Sequence, residues 1–464
     1  MNDRNPAPAR PATGSNAATD GPARGPADAL TTPERRHRAV NWYLTGEAAS
    51  LAGTGVHTVA LPVIAMLYLQ ASPAQAAHLY LLSQIPYLIV SLPAGAIVDR
   101  YPVKTVLIAT DLTAAALVAA IPAATASHTL TMSVLYTVAL ALGCVTVLHQ
   151  AAASVVLVKL AAPALLQQAT ARQEAVLGAA STIGQYLGSG LLAVTTAARA
   201  IAADSLSYLI SAWCTSRLPA LPSHRAGARR TTLITEIRDG LRYTLGDPIL
   251  RPLALCLGIT GAGAGVVTAF SSWYLLTVIQ VGPTGLGIIM GASGAGYLAG
   301  ALLSPRLIHR AGPGKTLIVS VAVYPVLEVP LLMARPGGAW VAVLVVAGAV
   351  QLAAAACATA TVRLVRLRLC LPKLQARTQQ SATWMVAGSR PLAALAATVL
   401  AAAAGVWATL LAGTVVLAGS ALALWLSPIR LLTHLPESSF PREEGGPVLQ
   451  PPHGPAANRR SFSP

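Results

Sequence analysis

The sequence predicts an all-α membrane protein in which twelve transmembrane helices form two pseudo-symmetric six-helix bundles. Three observations support this fold class: 54% of the 464 residues are hydrophobic, only 10% are charged, and the mean hydropathy is +0.60. Soluble globular proteins carry about 25% charged residues. Because the deficit extends over the whole chain, most of the protein surface must face lipid rather than water.

Twelve apolar runs are long enough to cross a bilayer, which requires about 20 helical residues. The first run follows about 40 polar residues and is longer than the apolar core of a signal peptide, so it is predicted to be a membrane span. The predicted spans are residues 43–69, 77–98, 104–124, 131–157, 173–195, 198–216, 250–279, 284–304, 315–334, 338–362, 378–402 and 406–428.

The basic residues predict the orientation. If the amino terminus is cytoplasmic, all of the 32 Lys and Arg residues lie on the cytoplasmic side except Arg199, Arg335 and Arg390. This asymmetry follows the positive-inside rule and predicts a multi-pass cell-membrane protein with both termini in the cytoplasm. Topology and attraction to anionic lipid therefore explain the net charge of +16, and no nucleic-acid partner is expected.

The chain divides into five predicted regions. Both tails are rich in Pro, Ala, Gly and Arg without apolar periodicity, which is typical of disorder. The central linker carries Leu233, Ile237, Leu241 and Leu245 at four-residue spacing, which predicts an amphipathic helix on the membrane surface. The regions are a cytoplasmic tail (1–36), an N-terminal bundle (37–216), the linker (217–249), a C-terminal bundle (250–430) and a second cytoplasmic tail (431–464).

An internal repeat relates the two predicted bundles. GAIVDRYPVK begins at Gly95 and GALLSPRLIHR begins at Gly300, and the same interval separates Ala171 of QATARQ from Ala376 of LQARTQ. Duplication of a six-helix unit explains both matches. Such repeats are typical of secondary transporters.

The stretch from Gly95 to Lys104 resembles a loop signature of the major facilitator superfamily, G-x-x-x-D-R-x-x-x-K/R. The resemblance covers residues 40–430 and is strongest to bacterial drug exporters of the macrolide and enterobactin exporter type. It is carried further by QQATARQEAVLGAAS, ADSLSYLISA, TEIRDGLRYTLGDPILRPL and the Arg390-Pro391-Leu392 step. It implies the major facilitator fold and secondary active transport by alternating access.

The resemblance also implies a gate in this loop. In that interpretation the basic side chains pair with nearby carboxylates across the cytoplasmic gap and break these pairs when the bundles rock. Alternatively, the basic residues simply follow the positive-inside rule. The predicted gating residues are Gly95, Asp99, Arg100, Lys104 and Asp111.

The fifth span carries GQYLGSG, which resembles the exporter signature G-P-x-x-G-G. Gln185 stands in place of the proline and Ser189 in place of a glycine. Gly184, Gly188 and Gly190 remain, and we expect them to allow tight helix packing.

Ionisable groups inside a membrane are costly, so each is a candidate for proton coupling or substrate binding. We expect His57 or Glu328 to take up the proton, and Arg390 to adjust its acidity or bind an anionic group. Many proton-coupled members of the resembling superfamily place an arginine in the fourth helix. That arginine is missing here, and His149 is the nearest polar residue. The alternative for each is a satisfied polar contact between helices, or snorkelling for those near a helix end, and this alternative is favoured for Glu47. The predicted residues are His57, His149, Asp204, Glu328 and Arg390.

The substrate is predicted from aromatic residues near the midplane. An aromatic, apolar cavity suits a bulky amphipathic compound such as a drug or secondary metabolite. The predicted cavity aromatics are Phe270, Trp273, Tyr274 and Trp384.

No enzyme activity, cofactor or metal is expected. None of the five cysteines has a metal-ligand spacing, and GPGKT lacks the first glycine of a phosphate-binding loop because His309 occupies that position. The sequence therefore predicts proton-coupled efflux by a monomer whose partners are a small-molecule substrate, protons and membrane lipid. The alternatives are an importer of a small nutrient and a membrane sensor without transport.

Overall fold

The protein is described by a computed structural model over residues 33–160, 166–219, 242, 245–369 and 375–432. Most of the predicted tails and most of the predicted linker lie outside these residues and stay predictions. Residues 33–36, assigned to the disordered first tail, are instead helical and begin α1. The described helices are α1 (Pro33–Val63), α2 (Pro73–Ile89), α3 (Ser91–Arg100), α4 (Val103–Ala126), α5 (Met132–Leu160), α6 (Leu166–Val194), α7 (Ala197–Ser216), α8 (Leu250–Trp273), α9 (Gly282–Ala311), α10 (Pro313–Met333), α11 (Gly338–Leu369) and α12 (Gln375–Trp425).

Within the described part, eight helical segments are long and apolar enough to cross a membrane. The helices pack as two bundles, α1–α7 and α8–α12. Helices α2 and α3 together make one membrane crossing, whereas α12 makes two. The predicted all-α membrane fold is therefore confirmed.

One predicted span is interrupted, and one predicted boundary is marked by a single glycine. The predicted span 77–98 is interrupted at Val90, because the ring of Pro93 excludes the carbonyl of Ile89 from helical bonding. Residues 375–425 form one helix by hydrogen bonding, but Gly405 has φ 86° and ψ 165°. Only glycine adopts that conformation readily, so Gly405 separates the last two crossings.

The packing order of the first bundle recurs in the second. In the first, α1 packs on α6 and α7, while α4 packs on α5 and α7. In the second, α8 packs on α12, while α10 packs on α11 and α12. The internal repeat inferred from sequence therefore has a structural counterpart.

The ends of α1 and α8 repeat each other in detail. A π-helical turn follows each helix, at Ile64–Tyr68 and Tyr274–Val278. Next, Gln70 and Gln280 both have positive φ, of 51° and 58°. After the first of these turns, Ser72 and Gln75 form a reciprocal capping box that begins α2.

The buried apolar cluster that joins the two bundles lies towards one end of the described molecule. We call the side where α1 begins and α12 ends the tail side, and the opposite side the distal side. One buried apolar cluster spans both bundles at the distal side and includes Ile64 and Phe270. On the tail side the clusters are separate, one around Tyr43 and the other around Leu317.

Two hydrogen bonds reinforce this distal contact. The Trp273 indole N–H donates to the Ala71 carbonyl at 3.0 Å, and the Ser189 hydroxyl donates to the Thr284 carbonyl at 3.2 Å. The described structure therefore has the distal side closed, and no buried apolar cluster of the described residues joins the bundles at the tail side.

Candidate functional site

Three helices of the N-terminal bundle bring two carboxylates to one imidazole. His149 of α5 places Nε2 at 3.0 Å from Glu47 Oε1 of α1, and Nδ1 at 3.3 Å from Asp111 Oδ1 of α4. The Thr110 hydroxyl is also 3.1 Å from His149 Nδ1. We call Glu47, Asp111 and His149 the triad.

The triad is suited to hold a proton because it is buried and because each of its three side chains can gain or lose a proton. Asp111 is 1% exposed, and the side chains of Glu47 and His149 are 15% and 16% exposed. A neutral imidazole donates through one nitrogen, whereas a protonated imidazole donates through both. Only protonation therefore lets His149 donate to both carboxylates.

A second imidazole–carboxylate pair lies nearer the distal side. His57 Nδ1 of α1 is 3.4 Å from Asp204 Oδ2 of α7, and Asp204 is fully buried. Ser207 donates to Asp204 Oδ1 at 3.3 Å. A side chain at Gly53 would strike the Ser207 hydroxyl, so glycine is needed for α1 to approach this pair.

The predicted gate residues are arranged differently from the expected ion pairs. Asp111 lies in the triad, and Lys104 instead donates to the carbonyls of Ser216 and Leu218 at 2.7 and 2.5 Å. The sequence pattern could not show this because it does not reveal where α7 ends. Arg100 is exposed and Gly95 is partly buried, whereas the side chain of Asp99 is outside the described part.

Lys104 thus ties the start of α4 to the carbonyl end of α7, where a cation is favoured by the helix dipole. We expect Lys104→Met to loosen this end and lower the unfolding free energy by about 1 kcal/mol, the usual scale for a hydrogen-bonded cap. Thermal unfolding of the detergent-solubilised protein measures this loss. Arg100→Met, at the exposed neighbour, is the control and should leave stability unchanged; equal losses would contradict the capping role.

The predicted packing role applies to two of the three predicted glycines of α6. A side chain at Gly184 would strike the Ala52 carbonyl of α1, and one at Gly188 would come within 3.0 Å of the Val56 Cα. Gly190 has nothing within 4 Å of an added Cβ. The first two positions require glycine for close approach, but Gly190 does not.

Two predicted residues of the C-terminal bundle, Glu328 and Arg390, do not form an ion pair with each other in the described structure. Glu328 is 6% exposed and accepts a hydrogen bond from the Gln351 side-chain amide of α11. Arg390 lies at an exposed position of α12. No ion pair joins Glu328 to Arg390 in the described structure, so the expected adjustment of acidity lacks a direct contact.

The predicted cavity aromatics lie mainly in the distal contact. Phe270 is fully buried and Tyr274 is 7% exposed, both in the shared apolar cluster, while Trp273 bonds across the bundles. Because the bundles are closed where these residues lie, they fill the contact rather than line a cavity. The side chain of Trp384 is outside the described part.

A crevice of about 480 Å³ does lie between the bundles, with α6 on one wall and α9 on the other. Its lining is uncharged and combines apolar groups with hydroxyl and amide groups. The lining residues are Leu51, Leu177, Gly178, Ser181, Thr182, Gln185, Met290, Ser293, Gly294, Tyr297 and Leu352.

Sequence reasoning missed Gln351, Ser207, Tyr208 and the crevice residue Gln185 as site residues. Ser207 and Tyr208 had a usable signal, because they follow Asp204 at helical spacing in an otherwise apolar helix. For Gln351, the only signal was that a polar residue lies within a predicted membrane span. Among the described residues, no group of three His, Cys, Asp or Glu side chains could hold a metal ion.

Two helical bundles that enclose a crevice and carry buried ionisable groups define a membrane transporter. The family model described as "Transmembrane secretion effector" matches residues 33–456. The chain therefore belongs to this family of major facilitator superfamily transporters. The resemblance to the superfamily is confirmed, while the exporter subtype stays a prediction.

Individual relatives are distant. "Uncharacterized MFS-type transporter YfiS" of Bacillus subtilis (strain 168) is 24% identical over 290 residues, which are 59% of this chain and 65% of that protein. The chain thus spans slightly less than two thirds of that relative's length. The solved structure of the nucleoside transporter NupG has a TM-score of 0.65 at 14% identity, and the match covers 84% of this chain and 99% of that chain.

A second solved structure is a bacterial homolog of the human lysosomal transporter Spinster, in an inward-facing and unoccupied conformation. Its TM-score is 0.62 at 14% identity, and the match covers 87% of this chain and 98% of that chain. At these identities the likeness shows the shared fold.

Proposed function

We propose that this protein is a proton-coupled exporter of a bulky amphipathic compound, of the drug, macrolide or enterobactin exporter type. It acts as a monomer in the cell membrane, with both termini in the cytoplasm, and its bundles rock to expose the crevice to each side in turn. The observation that carries the coupling is the triad, in which one buried imidazole faces two carboxylates.

The energetic reason for coupling is the cost of buried charge. Two carboxylates in a low-dielectric bundle are favourable only when a positive charge or a proton compensates them. Loss of the proton from the triad therefore raises its energy, and a change of conformation that hydrates the triad relieves this cost. A proton gradient is worth about 2.3 kcal/mol per charge for each 100 mV of membrane potential.

The crevice supports the proposed substrate class. All of its lining residues are uncharged, and Ser181, Gln185 and Ser293 offer hydroxyl and amide groups among apolar side chains. Such walls favour a molecule with a large apolar surface and a few hydrogen-bonding groups. The word "secretion" in the matching family's description supports export as the direction.

Import of a small nutrient is the second candidate, because the fold resembles that of a nucleoside transporter. The two directions are distinguished by expressing the protein in a bacterial strain that lacks its own drug pumps. An exporter should raise resistance in a screen across antibiotic classes, and energised cells should lose the compound. Accumulation of the compound in energised cells would instead support import.

Glu47→Gln tests the coupling, since it keeps the shape of the triad but removes a titratable group. We expect proton-driven efflux of the compound found in the screen to fall at least about tenfold, the effect of 1.4 kcal/mol on a rate, while exchange of labelled for unlabelled compound continues. The matched control is Glu34→Gln at the exposed start of α1, which should efflux normally. Normal proton-driven efflux by Glu47→Gln would remove the triad from the mechanism.

A further inference from the structure

A second recess lies on the N-terminal bundle where α4 meets α3 and α5, and we call it the lateral groove. Its volume is about 290 Å³, and its described lining lies between residues 97 and 148. None of these lining residues belongs to the crevice between the bundles. The lateral groove therefore opens at the side of the bundle, where a membrane protein meets lipid, and not towards the crevice.

The lateral groove is long and narrow. Along α4 its edge is formed by Thr105, Ala109 and Thr113, which share one face of the helix and are all exposed. Thr105 and Thr113 are eight residues apart, so the groove runs for about 12 Å along α4. The opposite wall includes Tyr101 and Leu148. This shape fits an extended chain better than a compact molecule.

The inner part of the groove is effectively apolar although it contains hydroxyl groups. The Thr113 hydroxyl donates to the Ala109 carbonyl at 2.7 Å, and the Thr110 hydroxyl donates to the Val106 carbonyl at 2.9 Å. Because these hydrogens are bound within α4, neither hydroxyl has a donor left for an occupant. Aliphatic side chains, among them Val106 and Leu148, complete the lining. The inner part therefore suits a hydrocarbon chain.

The tail-side end of the groove is polar and basic. Tyr101 ends α3 and is 52% exposed, which is typical of an aromatic residue at the membrane–water interface. Arg100 precedes it, is exposed, and forms no ion pair with a carboxylate among the described side chains. A cation at the membrane surface, at the end of an apolar groove, is complementary to a lipid with a negative headgroup.

We propose that the lateral groove binds one acyl chain of an anionic phospholipid, whose phosphate lies beside Arg100. The lipid is a partner held by the N-terminal bundle and is distinct from the transported compound. Any other hydrophobic occupant would have to reach the groove through the lipid phase, where phospholipid is in large excess. The assignment depends neither on the proposed direction of transport nor on proton coupling.

The bound chain contacts a residue that the groove shares with the triad. Thr110 lines the groove and is 4% exposed, and its hydroxyl is 3.1 Å from His149 Nδ1. Since the hydrogen of this hydroxyl is donated within α4, its oxygen is free to accept from the imidazole. A lipid chain in the groove therefore packs against the residue that contacts His149.

The test is a titration of the purified full-length protein in detergent with phosphatidylglycerol, read out by native mass spectrometry. We expect the protein to retain one lipid molecule per chain. Phosphatidylcholine with the same acyl chains should bind about fivefold more weakly, because one basic residue contributes ~1 kcal/mol at an anionic surface. Ala109→Trp fills the groove with an indole ring and should weaken phosphatidylglycerol binding at least about tenfold, which corresponds to 1.4 kcal/mol.

Ala120→Trp is the matched control, because it makes the same change at an exposed position of α4 outside the groove. It should bind phosphatidylglycerol normally. Arg100→Gln changes an exposed side chain, should remove the preference for phosphatidylglycerol, and provides the test if Ala109→Trp misfolds. Equal binding by the two tryptophan variants, or a preference that survives Arg100→Gln, would overturn the assignment. Because the titration contains no substrate and no proton gradient, such a result would leave the proposed function standing.

Discussion

Gly184→Val should prevent stable assembly of the N-terminal bundle. A side chain at this position would strike the Ala52 carbonyl of α1 and would also come within 2.7 Å of the Ala52 Cα. Backbone atoms of a packed helix cannot move aside as a side chain can. Overpacking costs about 1–3 kcal/mol and sometimes more, and we expect the upper end here. The measurements are the yield of monodisperse protein in detergent and its thermal unfolding temperature.

Gly190→Val provides a matched control on the same helix. It introduces the same side chain and the same change of helix propensity, but nothing lies within 4 Å of its Cβ. We expect near-normal yield and stability. Comparable losses in the two variants would mean that valine harms α6 itself, and the proposed close approach to α1 would have to be abandoned.

His149→Leu should have the second large effect. It removes the imidazole and leaves Glu47 and Asp111 buried without the group that faces both of them. Removing one partner of a buried ion pair costs about 3–5 kcal/mol, because the remaining charge is uncompensated. Thermal unfolding at neutral pH should reveal this loss, and proton-driven transport should disappear.

Two further variants separate lost charge balance from lost packing. His309→Leu makes the same change at an exposed position of α9 and should be neutral. Glu47→Gln combined with Asp111→Asn, added to His149→Leu, removes both uncompensated charges and should recover most of the stability but none of the transport. Failure of the added changes to recover stability would point to packing, and the electrostatic account of the triad would be lost.

The fold was largely predictable because its main determinant is composition. A chain with few charges and repeated apolar runs has to satisfy its backbone within helices in the membrane. The details depend on single residues: Pro93 interrupts a crossing that was predicted to be continuous, and Gly405 turns the chain where the boundary between the last two spans was predicted. Both residues were visible in the sequence, but their effect depends on the local backbone.

The candidate site was predictable as a set of residues but not as a set of contacts. His57, Asp204 and His149 were marked as costly in a membrane, yet their partners depend on how each helix is rotated. Asp111 was assigned to a surface gate although it lies well inside α4, among apolar residues. Glu47 was given a structural role because one sequence does not show that it meets His149. The buried polar residues Asp204, Ser207 and Ser211 of α7 could have been found from their helical spacing alone.

The single apolar cluster at the distal side has a thermal consequence. Any motion that opens that side must separate surfaces that include Ile64 and Phe270, whereas no buried apolar cluster of the described residues joins the bundles at the tail side. Exposure of apolar surface raises the heat capacity, and apolar association weakens as the temperature falls. The balance between the two orientations of this protein should therefore shift towards the distal-open one on cooling.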